Sequence, residues 1–109
     1  MLAIEKLLVA KKANRHGLQK LNDVRKHVDR TDAIIVTVLA ERMSLVEDIA
    51  RIKKRYNFQI FDEKRDGTIL KNFLKHSKRY GLNPSFAEEV FLSVMNEAKR
   101  VQRKIVKGH

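Results

Sequence analysis

The sequence predicts an all-α protein built around one very long first helix. One Pro and four Gly occur among 109 residues, and runs of β-branched residues are few, so the composition favours helices over strands. Between residues 18 and 54, apolar residues recur at the alternating three- and four-residue spacing of an amphipathic helix, and neither Gly nor Pro interrupts them. These apolar positions are Leu21, Val24, Val28, Ile35, Val38, Leu45, Ile49 and Ile52. A chain of this length suits one small domain with a modest core.

The length of this first helix predicts an oligomer. About 37 residues rising about 1.5 Å each make a rod of roughly 55 Å, whereas a compact chain of this size has a radius of gyration of about 13 Å. Because the chain cannot cover the far half of such a rod by itself, we expect that half to pack on a second copy.

Two cations interrupt the apolar stripe of the first helix. Arg42 lies one heptad after Ile35 and one before Ile49, which puts it inside the stripe. Lys53 follows Arg42 by about three helical turns and therefore shares its face. Because burying a cation without an anionic partner costs several kcal/mol, we expect an anion near Arg42. The alternative is that both long side chains reach solvent at the helix edge.

Residues 1–16 are predicted to form a short helical extension of unassigned role, and residues 17–109 the main domain. The extension is expected to end between residues 14 and 17, with Gly17 supplying the helix stop. Residues 1–10 are apolar but interrupted by Glu5 and Lys6, and they have no basic leader and no convincing cleavage site. Because no long apolar run occurs anywhere, we expect a soluble, cytoplasmic protein that does not enter a membrane.

A second helix is predicted over residues 63–80. Asp62 precedes it as an N-cap, whose carboxylate would accept a bond from a backbone N–H near Arg65. Gly81 is expected to end it. Its buried face is expected to comprise Ile69, Leu70, Phe73 and Leu74.

A third helix is predicted over residues 84–106. Asn83 precedes it as an N-cap, and Pro84 suits its first turn because Pro lacks the N–H that this turn leaves unpaired. Its buried face is expected to comprise Phe86, Val90, Phe91, Val94, Ala98, Val101 and Ile105, with Gln102 at its border.

The net charge of +11 leaves a basic, helical nucleic-acid-binding protein as an alternative. Basic residues cluster in residues 11–16, 51–56 and 99–104, and a phosphate-binding surface could be assembled from them. However, the sequence has no helix-turn-helix signature, zinc-finger spacing or aromatic stacking platform. We therefore favour a solvated basic surface whose field draws small dianions toward a cleft.

Several kinds of site are excluded by residue type. The chain has no Cys, which rules out disulfides, thiolate zinc sites and cysteine nucleophiles within it. The four histidines show no metal-ligand spacing, and we interpret all of them as surface residues: His16, His27, His76 and His109. We expect no metal site.

Six short segments between Leu21 and Gln102 form a combined pattern. They are Val24-Arg25-Lys26-His27-Val28-Asp29, Leu39-Ala40-Glu41-Arg42-Met43, Ile52-Lys53, Ile60-Phe61-Asp62-Glu63-Lys64-Arg65-Asp66, Gly81-Leu82-Asn83-Pro84-Ser85-Phe86, and Gln102. Each is weak alone, but in this order and spacing they resemble the all-helical class of chorismate mutase. The resemblance implies a three-helix chain that intertwines with a second copy into a homodimer, in agreement with the length of the first helix.

The same resemblance implies an isomerase site for chorismate, a dianion that rearranges to prephenate in the shikimate pathway of aromatic amino-acid biosynthesis. Arg42 would bind one carboxylate, Lys53 would bind a carboxylate and the ether oxygen, and Gln102 would be the second donor to that oxygen. These three would be the catalytic residues. Arg65 would contact the carboxylate end of the substrate, and Asp62 would act through its loop position and backbone at the ligand hydroxyl. No cofactor is implied.

Arg25 requires the partner subunit. It precedes Arg42 by seventeen residues, which is about 25 Å along a helix, too far for both to bind one small ligand within one chain. The resemblance implies that Arg25 enters the site of the second copy.

Two positions depart from the family pattern. Asp66 stands where Glu is usual, so its contact to the ring hydroxyl would be longer or bridged by water. Ala98 stands where Ser is common and lacks a hydroxyl donor. These departures keep open a sister activity, isochorismate pyruvate lyase, on the same scaffold. Docking on another shikimate-pathway enzyme also stays open.

Overall fold

The computed structural model describes residues 2–108, which form three α-helices. Helix α1 spans Ala3–Tyr56, α2 spans Glu63–Arg79 and α3 spans Pro84–Lys107. None of the described residues lies in a strand, and the predicted all-α class is confirmed. The chain divides into two units between Ala40 and Glu41. No helix within residues 2–108 is both long enough and apolar enough to cross a membrane.

The first unit is a single stretch of α1. Every side chain described in it is exposed, including the apolar ones of the predicted stripe. Val24 is 58% exposed, Val28 50% and Ile35 51%. A lone helix cannot bury its own apolar stripe, because its side chains all point away from the axis. The apolar side chains of this stripe are therefore not buried by any other described residue of the unit.

Gly17 lies inside α1, so the predicted helix stop at this residue is wrong. A glycine stop needs a left-handed backbone at the glycine, and Gly17 is not among the described residues with positive φ. Leu18, Gln19 and Lys20 follow it, and all three are good helix formers that offset the cost of about 1 kcal/mol that an interior Gly brings. The predicted short helix is thus the beginning of α1, and the domain boundary after residue 16 stays a prediction.

The second unit packs the last part of α1 with α2 and α3 around a small core. Its buried apolar residues are Val46 and Ala50 of α1, and Ala87, Phe91, Met95 and Ala98 of α3. The Phe91 ring stacks on that of Phe73 in α2, with centroids 4.1 Å apart and planes inclined by 11°. Such a pair adds to the stability that burial of the rings provides, and it holds α2 against α3.

The buried face of α1 in this unit differs from the predicted one. Leu45, Ile49 and Ile52 are each about half exposed, whereas Val46 and Ala50 are buried. The buried pair lies about 100° around the helix from the predicted stripe. Ala50 is 0% exposed, although so small a side chain contributes little to a pattern of large apolar residues. That pattern therefore could not identify the buried face.

The buried face of α3 is also shifted at its beginning. Phe86 and Val90 were expected inside and are exposed, while Ala87 and Met95 are buried. Ala87 contributes little to an apolar pattern because its side chain is small, yet that size favours close packing of α3 on α2. The predicted face of α2 is half-buried at all four positions, Ile69, Leu70, Phe73 and Leu74.

The helix ends follow the predicted capping residues. The Asp62 carboxylate accepts a bond from the Arg65 backbone N–H at 3.0 Å, and the Asn83 side chain accepts one from the Phe86 N–H at 3.0 Å. Helix α2 ends at Arg79 with Tyr80 as its C-cap. Gly81 follows with a φ of 73°, the left-handed backbone that favours glycine after a helix. Both predicted caps are confirmed.

The histidines lie where the sequence analysis put them, as far as the structure describes them. His16, His27 and His76 are exposed. His109 lies outside the described residues. Among residues 2–108, no three His, Asp or Glu side chains lie close enough together to bind a metal ion.

Candidate active site

A cavity of about 1070 Å³ opens in the second unit. This volume is slightly above the usual range of small-molecule sites, about 300–1,000 Å³. Its walls come from α1, from the connector between α1 and α2, and from α2 and α3. The polar residues that the resemblance assigned to a substrate site and that line it are Arg42, Lys53, Asp62, Arg65, Asp66 and Gln102, and Ala98 lines it as well.

Arg42 reaches the cavity from α1 and is half-buried. Its guanidinium carbon lies 5.3 Å from the centroid of the Phe91 ring, a distance at which the ring face attracts a cation. Its Nη1 atom is buried and has no hydrogen-bond partner among residues 2–108. An unpaired buried donor is costly, and this one is charged. The wall of the cavity thus presents an unsatisfied cation suited to an anionic acceptor.

Lys53 and Gln102 form a direct contact across the cavity. The Lys53 Nζ donates to Gln102 Oε1 at 2.7 Å and to the Ile60 carbonyl oxygen at 2.7 Å. Because an ammonium can only donate, the Gln102 atom that faces it must be the amide oxygen. The Gln102 NH₂ group and the third Nζ hydrogen then remain to donate elsewhere. The contact therefore leaves one donor from each residue for a ligand oxygen.

The beginning of α2 contributes Asp62 and Arg65. The Asp62 Oδ1 atom caps the helix by accepting from the Arg65 N–H, and the Asp62 carbonyl oxygen accepts from the Asp66 N–H at 2.9 Å. The backbone N–H and Oδ2 of Asp62 are thus the groups available to a ligand. The Arg65 side chain is exposed and lines the cavity. The cap thus determines where the first turn of α2 begins and where Arg65 stands.

Lys99 is a cavity residue that the sequence analysis did not single out. It lines the cavity from α3, and its Nζ lies 3.2 Å from Asp66 Oδ2 on α2. The signal available in the sequence was its position three residues before Gln102, which puts both on one face of a helix. The pairing with Asp66 could not be foreseen, because it depends on how α2 packs on α3.

Ala98 forms part of the apolar wall. It is buried, and Val46 and Met95, both buried, line the same cavity. A methyl group at this position offers no hydrogen bond, so any ligand oxygen facing Ala98 must be satisfied by another donor.

Arg25 is the one proposed site residue that does not line this cavity. It belongs to the first unit, is exposed, and donates from Nη1 to Asn22 Oδ1 at 3.5 Å. Its contribution to a site from a second copy stays a prediction.

A further ion pair on α3 lies apart from the residues that line the cavity. The Arg100 guanidinium donates to both oxygens of Glu97. These bonds hold the pKa of the Glu97 carboxyl below its usual value and raise the pKa of Arg100. The pair keeps Glu97 ionised on the outside of the site.

Comparison with known proteins identifies the same region of the chain. The family model described as chorismate mutase type II matches residues 24–103. A protein of Methanocaldococcus jannaschii named chorismate mutase is 29% identical over 87 residues, which covers 80% of this chain and 88% of that protein.

Longer relatives match over a comparable stretch. The T-protein of Enterobacter agglomerans is 29% identical over 79 residues, 72% of this chain and 21% of the T-protein. A protein of Aquifex aeolicus named bifunctional chorismate mutase/prephenate dehydratase is 31% identical over 81 residues, 73% of this chain and 22% of that protein. The chain thus spans about a fifth of the length of these two relatives.

Proposed function

The chain belongs to the chorismate mutase type II family, and we propose that it converts chorismate to prephenate in aromatic amino-acid biosynthesis. The observation that carries this proposal is that Arg42, whose buried Nη1 has no hydrogen-bond partner among the described residues, lines the same cavity as the Lys53–Gln102 pair. The cavity thus contains the Arg42 cation, which an anionic group of a ligand could neutralise. It also contains two hydrogen-bond donors, Lys53 and Gln102, that can bond to the same ligand oxygen.

The protein does not need to form a covalent bond with the substrate in this reaction. One C–O bond breaks while one C–C bond forms within a single molecule, so neither a nucleophile nor a proton transfer is required. The protein can accelerate it by holding the dianion in a compact conformation. It can also place donors where the ether oxygen becomes electron-rich in the transition state.

Arg42 and Arg65 would bind the carboxylates. A guanidinium offers two parallel N–H donors that match the two oxygens of a carboxylate. The buried Nη1 of Arg42 has no hydrogen-bond partner within the described chain, residues 2–108, and a carboxylate of the substrate would remove the cost of that unpaired donor. Arg65 stands at the exposed side of the cavity, where it would meet the outer end of the substrate.

Lys53 and Gln102 would stabilise the ether oxygen. Their mutual bond of 2.7 Å fixes the Gln102 amide so that its NH₂ group is the part left to the ligand. Lys53 retains one hydrogen after its bonds to Gln102 and Ile60. Both donors are pre-oriented before the substrate arrives, so little reorganisation is needed as charge develops on the oxygen.

Asp62 and Asp66 would contact the hydroxyl side of the substrate. Asp62 would act through its backbone N–H, because its Oδ1 caps α2 and its carbonyl oxygen accepts from the Asp66 N–H. Asp66 would accept from the ring hydroxyl with a carboxylate that is one methylene shorter than the usual Glu. Ala98 would line the apolar side of the cavity and provide no donor.

The functional unit in this proposal is an intertwined homodimer. The exposed stripe of the first unit supports it, because Leu21, Val28 and Ile35 are each about half exposed in the single chain. Exposed apolar surface of this extent is typical of a face that is covered in an assembly. A second copy would cover it and would supply Arg25 to the site.

Association with another enzyme of the pathway is part of the proposal. The relatives named bifunctional chorismate mutase/prephenate dehydratase carry a second activity in a longer chain. Docking of the present domain on such an enzyme would give the same proximity. A cytoplasmic location stays a prediction from the composition.

The test is to mix the purified protein with chorismate, follow the loss of diene absorbance, and identify the product by chromatography. Saturable formation of prephenate supports the proposal. A matched control is the Lys53→Ala variant, which should remain folded by circular dichroism and lose turnover.

Two other outcomes would replace the proposal. Elimination of pyruvate from isochorismate, without turnover of chorismate, would assign the sister lyase, which the buried Ala98 keeps under consideration. Salt-sensitive binding to nucleic acid that is unaffected by Arg42→Ala, without turnover of either dianion, would assign the basic binding protein.

A further inference from the structure

Lys99 forms an ion pair that differs from the other ion pairs in the described chain. Among residues 2–108, its contact with Asp66 is the one salt bridge that joins two different helices. Each of the other pairs joins two residues of the same helix. Both side chains are about one-third exposed, Lys99 at 36% and Asp66 at 30%. Both also line the cavity. The pair therefore lies in the candidate site and not on the outer surface.

A second contact restrains the Lys99 ammonium. The Nζ atom lies 5.8 Å from the centroid of the Phe61 ring, and the guanidinium carbon of Arg103 lies 5.6 Å from the same centroid. Phe61 belongs to the connector between α1 and α2. Lys99 thus contacts the connector and α2 while it stands on α3, and both contacts hold its charge at one place on the cavity wall.

An unpaired Asp66 would oppose the binding of a dianion. Two like charges at about 8 Å repel by about 2 kcal/mol at an effective dielectric constant of about 20. A cation in contact with the carboxylate cancels most of that field at the distance of the ligand. The contact is made to Oδ2, so Oδ1 stays available as an acceptor for a ligand hydroxyl.

We propose that Lys99 is a positioning and specificity-determining residue, which neutralises Asp66 through Oδ2 so that the cavity accepts a hydroxylated dianion and presents Oδ1 to its hydroxyl. The inference rests on the proposed function, because it takes the ligand to be a dianion that carries a hydroxyl. Lys99 acts through Asp66 and does not itself bind the carboxylates of the ligand.

The experiment is a double-mutant cycle of Lys99→Met and Asp66→Asn with chorismate as the ligand. Lys99→Met should raise KM about tenfold, because it exposes the ligand to an uncompensated carboxylate. It should change kcat much less, since the repulsion acts on the bound dianion before and during the reaction. In the Asp66→Asn background, the same substitution should change KM less than about twofold, because no carboxylate remains to be neutralised.

Two further variants separate this role from a general effect of charge or stability. Lys104→Met removes one positive charge from an exposed position of the same helix and should leave KM unchanged. Lys99→Arg keeps the charge and should restore most of the affinity. Thermal midpoints of all variants identify any loss that comes from unfolding.

Several results would overturn the inference. An equal rise in KM in both backgrounds would mean that Lys99 binds the ligand directly. A lower thermal midpoint without a change in KM would mean that the pair only holds α2 on α3. If the wild-type chain does not turn over chorismate, the proposed function fails, and the same cycle is measured by calorimetry as the chorismate dissociation constant. A wild-type chain without measurable chorismate binding overturns both proposals.

Discussion

At the scale of single residues, the two cations on α1 are satisfied in different ways. Lys53 has two protein acceptors at 2.7 Å, whereas Arg42 rests on the Phe91 ring and has a buried nitrogen that bonds to none of residues 2–108. Lys53 is thus oriented by the protein before a ligand binds. The Arg42 guanidinium still requires an acceptor from a ligand, which is expected of a residue in a binding site and not of a residue in a core.

Arg42→Ala should therefore abolish most of the activity without unfolding the protein. We expect kcat/KM for chorismate to fall by about 10²- to 10³-fold, because a charge-assisted contact to the substrate is lost. The thermal midpoint should fall by no more than a few degrees, since the variant loses the contact with the Phe91 ring but no hydrogen bond from Nη1 to any of residues 2–108. Initial rates and thermal melts check this prediction.

Arg79→Ala is the matched control for Arg42→Ala. Arg79 is exposed at the end of α2 and does not line the cavity, so its loss should leave kcat/KM unchanged. A comparable loss of activity in both variants would contradict a specific role for Arg42.

At the scale of elements, the connector and the first turn of α2 position much of the site. Helix α1 ends where Asn57 adopts a φ of 57° and the Phe58 N–H bonds to the Lys53 carbonyl at 2.9 Å. The chain then passes Ile60, whose carbonyl holds the Lys53 ammonium. It enters α2 at Asp62. Local backbone structure thus determines where Lys53 and the α2 residues face the cavity.

Variants of the two N-cap residues of the second unit should distinguish an effect on stability from an effect on activity. Asn83→Ala and Asp62→Ala each remove one bond of 3.0 Å to a backbone N–H, and each should lower the free energy of unfolding by about 1 kcal/mol. Asp62→Ala should also lower kcat/KM by about tenfold, because the first turn of α2 carries Arg65 and Asp66.

Denaturant melts and initial rates below the melting range test this pair. Asn83 does not line the cavity, so Asn83→Ala should keep its full activity where the protein is folded. Equal activities of the two variants would mean that the α2 cap does not position the site.

At the scale of the whole molecule, the apolar stripe of the first unit and the position of Arg25 point to the same assembly. The stripe has no cover within its own unit, and Arg25 is exposed beside it on the same helix. An isologous dimer would let each chain cover the other and exchange one arginine.

Mixing two inactive variants should restore activity if Arg25 acts across the dimer. When Arg25→Ala and Arg42→Ala chains are refolded together, each mixed dimer has one site with Arg42 from one chain and Arg25 from the other. Half of the dimers are mixed and each has one intact site, so about a quarter of the wild-type activity should return.

Refolding each variant alone is the control for the mixing experiment. Neither should gain activity, and sedimentation should give about twice the chain mass of 12.7 kDa. If the mixture stays as inactive as its components while it is dimeric, Arg25 serves its own chain or has no part in catalysis.

Much of the candidate site could be predicted from the sequence because its residues lie at fixed places on helices. Arg42 and Lys53 share a face by helical period alone, and the Asp62 cap determines where Arg65 and Asp66 begin α2. Lys99 could not be assigned, because its partner Asp66 is brought to it by the packing of α2 on α3.

The sequence by itself determined the helical class, the caps at Asp62 and Asn83 and the family, because each of these depends on residues close together in the chain or on their order. Only the tertiary structure decided that α1 continues through Gly17, that Val46 and Ala50 form its buried face, and that Lys99 pairs with Asp66. An isolated Gly can continue or end a helix, and the face that a helix buries depends on packing partners that are remote in sequence.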